Sequence, residues 1–392
     1  MHASDGAKTP PIIYHNLFQI RITVSSQFQN YNFEIPDDKL SYFHSLSTKM
    51  RFSLTPTLAM AMAVSSVGAV GSLRRMQSGN FPESFSLPDG FRPEGSVAGT
   101  GNEIFISCTS GLQVGSIWKG DIRTGEGSVL IPPTGDATRG ISLDKWGRLW
   151  VCWTSGARVY DSETGLFLKE YIFTFTEETD LSVGVINDVI VAGTKVIFTD
   201  SGATIPNGRG DVGIPRLFVV EIASNGAMPD EFSEIRPTTT DVELDSAWPT
   251  LNGIETVPAD TSKVVACHTN LGLLVNIDLT TGEASVVDVG VPNEEKPFST
   301  CDGLVRRGNA LYVVRNRDSA VSEVKLNPDG TAGTVETVYD VAAMVEDPNL
   351  DTPTTGALYG DYLHMPDSRF RLNCNEVDCN TAPFSVHFIK LN

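Results

Sequence analysis

The sequence predicts an all-β protein, a six-bladed β-propeller with four antiparallel strands in each blade. Three observations carry this prediction. Six units of similar length recur along the chain. Each opens on a polar residue at the mouth of an apolar run, and most carry hairpin punctuation near their end.

The openings read "RPEGSVA", "TRGISLD", "VINDVIV", "TLNGIET", "TCDGLVR" and "TTGALYG". In five of them a polar residue precedes Gly, and in the third Asn187 precedes Asp188. A second β-rich segment follows each opening, starting at Asn102, Gly147, Thr194, Ser262, Asn309 and Asp361, at intervals of 45, 47, 68, 47 and 52 residues. Each runs into Gly, Ser, Asp or Asn, as a strand entering a turn does. A third piece recurs as "IWKGDIRTGEGSVLI", "ARVYDSETGLFLKEY", "LLVNIDLTTGEASVV" and "VSEVKLNPDGTAGTV". Its D-x-x-T-G or N-P-D-G centre marks a hairpin, with Gly supplying the left-handed conformation. Four strands in about 50 residues make one blade. The last unit lacks a fourth strand, and the early "ESFSLP" is expected to complete it and close the ring. A two-domain sandwich would not explain six matched units.

The propeller is expected over residues 80–392. Before it, residues 1–49 are polar and aperiodic and read as a disordered leader or a misassigned start. Residues 50–75 read as a signal peptide starting at Met50. Lys49 and Arg51 supply the basic flank, Leu58 to Val70 the apolar stretch, and Val67 and Ala69 a small-residue cleavage site. A single-pass signal anchor is the alternative, although Ser, Thr, Gly and Pro make the segment a poor lipid helix. The expected location is the secretory pathway or the extracellular space. Cys374 and Cys379 enclose "NEVD" and are expected to form a disulfide there. Cys108, Cys152, Cys267 and Cys301 lie in or beside strands and are expected to be buried free thiols. No zinc-type spacing and no N-x-[ST] sequon occurs.

The formal net charge is −19, which argues against nucleic acid or an anionic membrane as partner. A monomer acting on a hydrophobic small molecule is expected. No G-x-S-x-G elbow, H-E-x-x-H motif or phosphate loop is present.

In a propeller the first strand of each blade lines the central channel, so equivalent positions fall on one circle. The opening residues Glu94, Arg139, Asn187, Asn252, Asp302 and Thr355 are therefore expected to share a funnel. The ends of the second strands add an outer tier of Thr109, Thr154, Asp200, Thr269, Asn316 and Asp367, with His268 and Arg315 beside them. Trp248, four residues before Asn252, is placed to wall the funnel. The longest inserts, including "VPNEEKPFST" and "VEDPNLDTPT", belong to the same face.

"RPEGSVA", "INDVIV", "LNGIETVPAD" and "CDGLVRRG" resemble motifs of the regucalcin/gluconolactonase-like six-bladed propellers. The resemblance covers all six units. It implies a divalent ion, Ca²⁺ or Mg²⁺, held by Glu94, Asn252 and Asp302, with Asn187 contacting substrate or metal. Turn chemistry is the competing account of Asn and Asp before Gly. Members commonly carry an Arg just before the third-blade Asn–Asp pair. Here Val185 and Ile186 stand there, which implies a more apolar substrate than a sugar lactone.

The leading functional expectation is metal-assisted hydrolysis of a hydrophobic lactone or ester. Asp302 or His268 would act as base and Arg139 as an oxyanion contact, while Asn187, Trp248, Thr355 and Arg315 bind substrate. One alternative is a metal-independent cyclase of the hetero-Diels–Alderase kind, a use to which fungal biosynthetic clusters put propellers of this shape. The other is a non-catalytic secreted binding propeller.

Overall fold

The structure is a computed structural model that describes residues 81–173, 184–202, 205–206, 211–292, 295–345 and 347–392. The leader and the signal-like segment expected at 1–49 and 50–75 lie outside the described residues.

Six four-stranded antiparallel sheets form the blades. Their innermost strands are Arg92–Ala98, Thr138–Leu143, Ile186–Ala192, Leu251–Thr256, Cys301–Arg307 and Ala357–Tyr359. These strands are the six opening motifs; those of blades 1 to 5 pack against one another in turn around the axis, and that of blade 6 packs against blade 1. The second strands, among them Glu103–Ser110, Arg148–Trp153 and Lys195–Asp200, are buried over most of their length, which is why they read as continuous apolar runs. The hairpins follow the D-x-x-T-G reading. Asp161, for example, accepts the backbone N–H of Thr164 at 2.8 Å, and Gly165 takes φ of 69°.

The ring closes as the sequence predicts. The sixth sheet holds Ala357–Tyr359, Tyr362–Pro366, Ser385–Lys390 and, as its outermost strand, Ser84–Ser86. Phe85 pairs with Val386 and stacks on Trp118 of blade 1 at 5.6 Å. One short strand from the start of the propeller thus joins its last blade to its first.

The cores lie between blades. The cluster joining blades 2 and 3 is aromatic, with Phe173 stacked on Phe218 at 4.6 Å and Trp150 on Tyr171 at 5.8 Å. Near the axis the blades meet through backbone. Five inner strands carry a bulge, located between Pro93 and Ser96, Thr138 and Ile141, Ile186 and Val189, Leu251 and Ile254, and Cys301 and Leu304. Each bulge contains the polar residue of the opening motif and its successor. At Gly95 a Cβ would sit 2.3 Å from the carbonyl oxygen of Arg139, and at Gly253 it would sit 2.2 Å from that of Asp302. Glycine there lets the next inner strand approach.

Cys267 and Cys301 form a disulfide, contrary to the expectation of free thiols. The bond joins the second strand of blade 4 to the inner strand of blade 5. Between blades 1 and 2 the corresponding places hold Cys108 and Thr138, and there the Thr138 hydroxyl bonds the backbone of Cys108. A second Cys stands opposite only at the fourth interface. Cys108 and Cys152 are buried free thiols and Cys374–Cys379 is a disulfide, as expected.

Two stability outcomes follow. Phe85→Ala removes the aromatic that closes the ring and should cost about 3–5 kcal/mol in a urea unfolding experiment. An unchanged midpoint would show that closure does not rest on this strand. Gly253→Ala should cost about 1–3 kcal/mol, because its Cβ meets backbone rather than a movable side chain. A neutral effect would show that the inner strands can separate freely.

Candidate functional site

The bulges turn the opening residues toward a common space. Glu94, Arg139, Asn187, Asn252 and Asp302 line one cavity of about 800 Å³. Glu94, Asn187, Asn252 and Asp302 are each less than 9% exposed and form its floor. Thr109, Thr269 and Asn316, from the ends of second strands, line the wall. Five of the six ring residues and three of the six outer-tier residues therefore converge as the sequence predicts.

Hydrogen bonding fixes the floor. Asn316 Nδ2 donates to Asp302 Oδ2 at 2.7 Å. Ser201 Oγ donates to the carbonyl of Leu251 at 2.7 Å, so its remaining role toward Asn187 is as acceptor, from Nδ2 at 2.8 Å. That bond leaves the amide oxygen of Asn187 as its uncommitted end among the described residues. The ring carbonyls are held as well. Thr354 Oγ1 donates to Glu94 O at 2.7 Å, Thr199 Oγ1 to Asn252 O at 2.7 Å, and Ser107 Oγ to Arg139 O.

The floor is electrostatically tense. Burial, and then the facing Asp302 carboxylate, push the Glu94 acid well above the usual carboxylate range, with Arg139 opposing. Burial raises Asp302 to about 7, against the hydrogen bonds of Asn316 and Asn252. Asp188 does not line the cavity. It turns toward blade 4, where Oδ2 accepts the Ile254 N–H at 3.2 Å, while Oδ1 accepts that of Val189 at 2.8 Å. Burial raises Asp188 to about 7 despite those bonds, with Asp302 and Glu255 adding to the rise. Arg139 has a buried Nη1 with no hydrogen-bond partner among the described residues.

Several expected site residues lie elsewhere. His268 is fully buried and outside the cavity lining. Its Nε2 donates to Leu244 O at 2.9 Å, its Nδ1 accepts the Leu271 N–H at 3.3 Å, and burial lowers its pKa. Both ring nitrogens bond backbone, so His268 braces loops behind the cavity wall rather than facing the cavity. Arg315 sits outside the lining, with Nε 3.6 Å from Asp318 Oδ2. Thr355 packs on Gly303 rather than facing the funnel, and Thr352 lines the cavity instead. Thr154 is exposed and outside the lining. Asp200 serves its own turn and Asp367 braces the loop that carries Thr352. Asp200 caps Gly202 N at 3.0 Å and Asp367 caps Thr352 N at 2.7 Å. Val185 lines the cavity, but Ile186 belongs to the core between blades 2 and 3.

Trp248 stands at the mouth, 48% exposed, followed by Pro249 across a cis peptide. A three-stranded sheet of Ile205–Pro206, Asp211–Gly213 and Ser246–Ala247 leads the chain there. Sequence reasoning missed Lys296, Arg317, Phe370 and Arg371, which also line the cavity. Lys296 lies in an insert assigned to this face, but nothing local marks the others.

The fold and its funnel define a six-bladed propeller with a polar axial cavity. No family model and no curated protein matches the chain. Among solved structures, regucalcin of Agrobacterium tumefaciens, described as a calcium-binding protein, is similar at 15% identity. The match covers 81% of this chain and 98% of that one, with a TM-score of 0.50. A luciferin-regenerating enzyme is similar at 12% identity over 77% and 92% of the two chains, with a TM-score of 0.53. The major Malassezia sympodialis allergen Mala s 1 is similar at 12% identity over 79% and 96%, with a TM-score of 0.56. At these identities the likeness bears out the regucalcin-like propeller fold and nothing finer.

The raised acids give a pH outcome. A carboxyl whose folded pKa lies above its unfolded value of about 3.9 favours the native state when protonated. That contribution is lost as pH rises toward the folded value, about 7 for Asp188. In chelator, the melting temperature should therefore fall from pH 5 to pH 8, and Asp188→Asn should flatten the fall. A slope unaltered by the substitution would show that Asp188 ionises without cost.

Proposed function

We propose that the protein is a hydrolase that opens a small lactone or ester with an apolar body, with a divalent cation at the funnel floor. The observation that carries this reading is the meeting of Glu94 and Asp302 with the amides of Asn187 and Asn252 in one cavity.

These residues fit a hard cation. Among the described residues no group of three or more His, Cys, Asp and Glu side chains could hold a metal. The funnel instead offers two carboxylates and amide oxygens, a donor set suited to Ca²⁺ or Mg²⁺. Both acids are pushed upward by burial, and Glu94 also by the facing carboxylate, a burden that a positive charge would relieve. Glu94, Asn252 and Asp302 would hold the ion, with the amide oxygen of Asn187 beside them. Such an ion, when bound, polarises a carbonyl or lowers the pKa of water.

The remaining roles belong to the chain's own groups. Asp302, oriented by Asn316, accepts the proton of the attacking water on its carboxylate and returns it to the alkoxide oxygen released when the acyl C–O bond breaks. Arg139 lines the floor with an uncommitted buried N–H and donates to the oxygen on which charge develops. Trp248 and Phe370 cover the apolar body and limit water at the mouth. The calcium-binding description of regucalcin and the enzymatic one of the luciferin-regenerating protein support this by analogy of fold. The two disulfides support an oxidising compartment, in keeping with secretion.

Elemental analysis of the purified protein should find close to one divalent ion per chain. Dihydrocoumarin should be hydrolysed faster than glucono-1,5-lactone, and chelator should abolish turnover. Asp302→Asn should lower kcat by about 100-fold or more, whereas Trp248→Ala should mainly raise KM. Full turnover in chelator, with no metal found, would reject the metal-assisted mechanism, and no turnover of either lactone would leave a metal-independent cyclase as the better account.

A further inference from the structure

Charge is distributed unevenly in the funnel. The chain carries 48 acidic and 29 basic residues. The floor follows that bias, with Glu94 and Asp302 as its acids. The mouth reverses it. The exposed charged side chains lining the cavity are Lys296, Arg317 and Arg371, all cations.

These cations are poorly compensated. Lys296 Nζ donates to the carbonyl of Asn270 at 3.0 Å and has no carboxylate within ion-pair distance among the described residues. Arg317 likewise makes no ion pair among the described residues, since its neighbour Asp318 faces Arg315. Arg371 has Nε 3.4 Å from Asp351 Oδ1, and its Nη2 donates to the backbone carbonyl of Arg317. That last contact ties one cation-bearing segment to the other. Like charges held together at the edge of a cavity repel unless an anion joins them, and the guanidinium fork suits oxyanions that present two oxygens. Phe370, 45% exposed, precedes Arg371, and Trp248, 48% exposed, lines the same cavity. Among the described residues, apolar ring surface and incompletely compensated positive charge thus share one rim.

We propose that the rim reads an organic anion: Lys296, Arg317 and Arg371 bind an acidic group, carboxylate or sulfonate, on an apolar body that packs against Trp248 and Phe370. This deepens the reading of the cavity as a small-molecule site and rests on it. The substrate enters with its acidic group at the mouth. Its reactive end points to the floor, because Lys296, Arg317 and Arg371 hold the acidic group at the mouth. A neutral ligand of the same shape lacks this orientation.

The test uses two fluorescent probes that differ only in a sulfonate, 8-anilino-1-naphthalenesulfonate and N-phenyl-1-naphthylamine, titrated into the full chain. The sulfonate should bind at least ten-fold more tightly. Its advantage should disappear in the double variant Lys296→Ala/Arg317→Ala and shrink on raising salt from 50 to 300 mM. Trp248→Ala should weaken both probes. Equal affinities, an advantage retained in the double variant, or no binding of the sulfonate would overturn the proposal. Both substituted positions are exposed, and an unchanged melting temperature confirms that the variant folds. The salt dependence of the wild-type protein gives a second readout that needs no variant. Failure of the hydrolase mechanism would leave the probe preference intact, because neither probe requires Asp302 or a cation.

Discussion

The inner-strand bulge is the constraint on which the rest of this structure depends. In five blades the strand nearest the axis is interrupted at the polar residue of the opening motif. The following residue, Gly in four of the five, lets the next blade's backbone come within the space a Cβ would fill. Close approach and inward turning are one event. A strand that kept its register would alternate its side chains regularly, and the polar residue would have no reason to leave the ladder. In blade 3 the place of Gly is taken by Asp188, whose carboxylate reaches the Ile254 N–H of blade 4. There the gap between blades is bridged by a side chain, and the cost appears as a buried acid with a raised pKa.

Hydroxyl groups make the ring rigid. Ser107, Thr199 and Thr354 each donate to the carbonyl of a ring residue in the next blade. Between blades 4 and 5, Thr269 Oγ1 donates to Cys301 O at 2.7 Å and the Cys267–Cys301 disulfide adds a covalent tie. Asp302, the residue after Cys301, therefore sits beside both a hydrogen bond and a covalent tie between blades. A site that must keep two acids together against their repulsion needs this backbone fixity, since the side chains alone would move apart.

The fold was legible because propeller blades are nearly local units. Four strands and their turns fit in one stretch of about 50 residues, so period and punctuation revealed them, and even the closing strand at Ser84–Ser86 was visible as a leftover. The floor was legible for the same reason, since equivalent positions in a ring must meet. What was not legible depends on contacts across loops or on local orientation. His268 and Asp302 are both polar residues near the axis, but only the register of the Leu244 and Leu271 backbone shows that His268 is spent on structure. Cys267 and Cys301 pair because they occupy facing positions of neighbouring blades, a relation invisible until the blades are stacked. Arg317 and Phe370 reach the funnel from turns whose direction the sequence does not specify.

The two halves of the funnel thus have different origins and different physics. The floor is set by the inner strands and is acidic, enclosed and fixed by hydrogen bonds. The mouth is set by loops and turns and is cationic, aromatic and open to solvent. Charges buried at the floor act strongly because little water screens them, whereas those at the mouth act through solvent and yield to salt. A ligand that crosses from one to the other meets attraction for an anion at the mouth and, at the floor, carboxylates suited to a cation beside the Arg139 guanidinium. Orientation then follows from the field rather than from shape alone. The ring supplies a fixed reactive floor while substitutions in the loops can retune what reaches it, since Lys296 and Arg317 touch none of the hydrogen bonds that hold Glu94 and Asp302 in place.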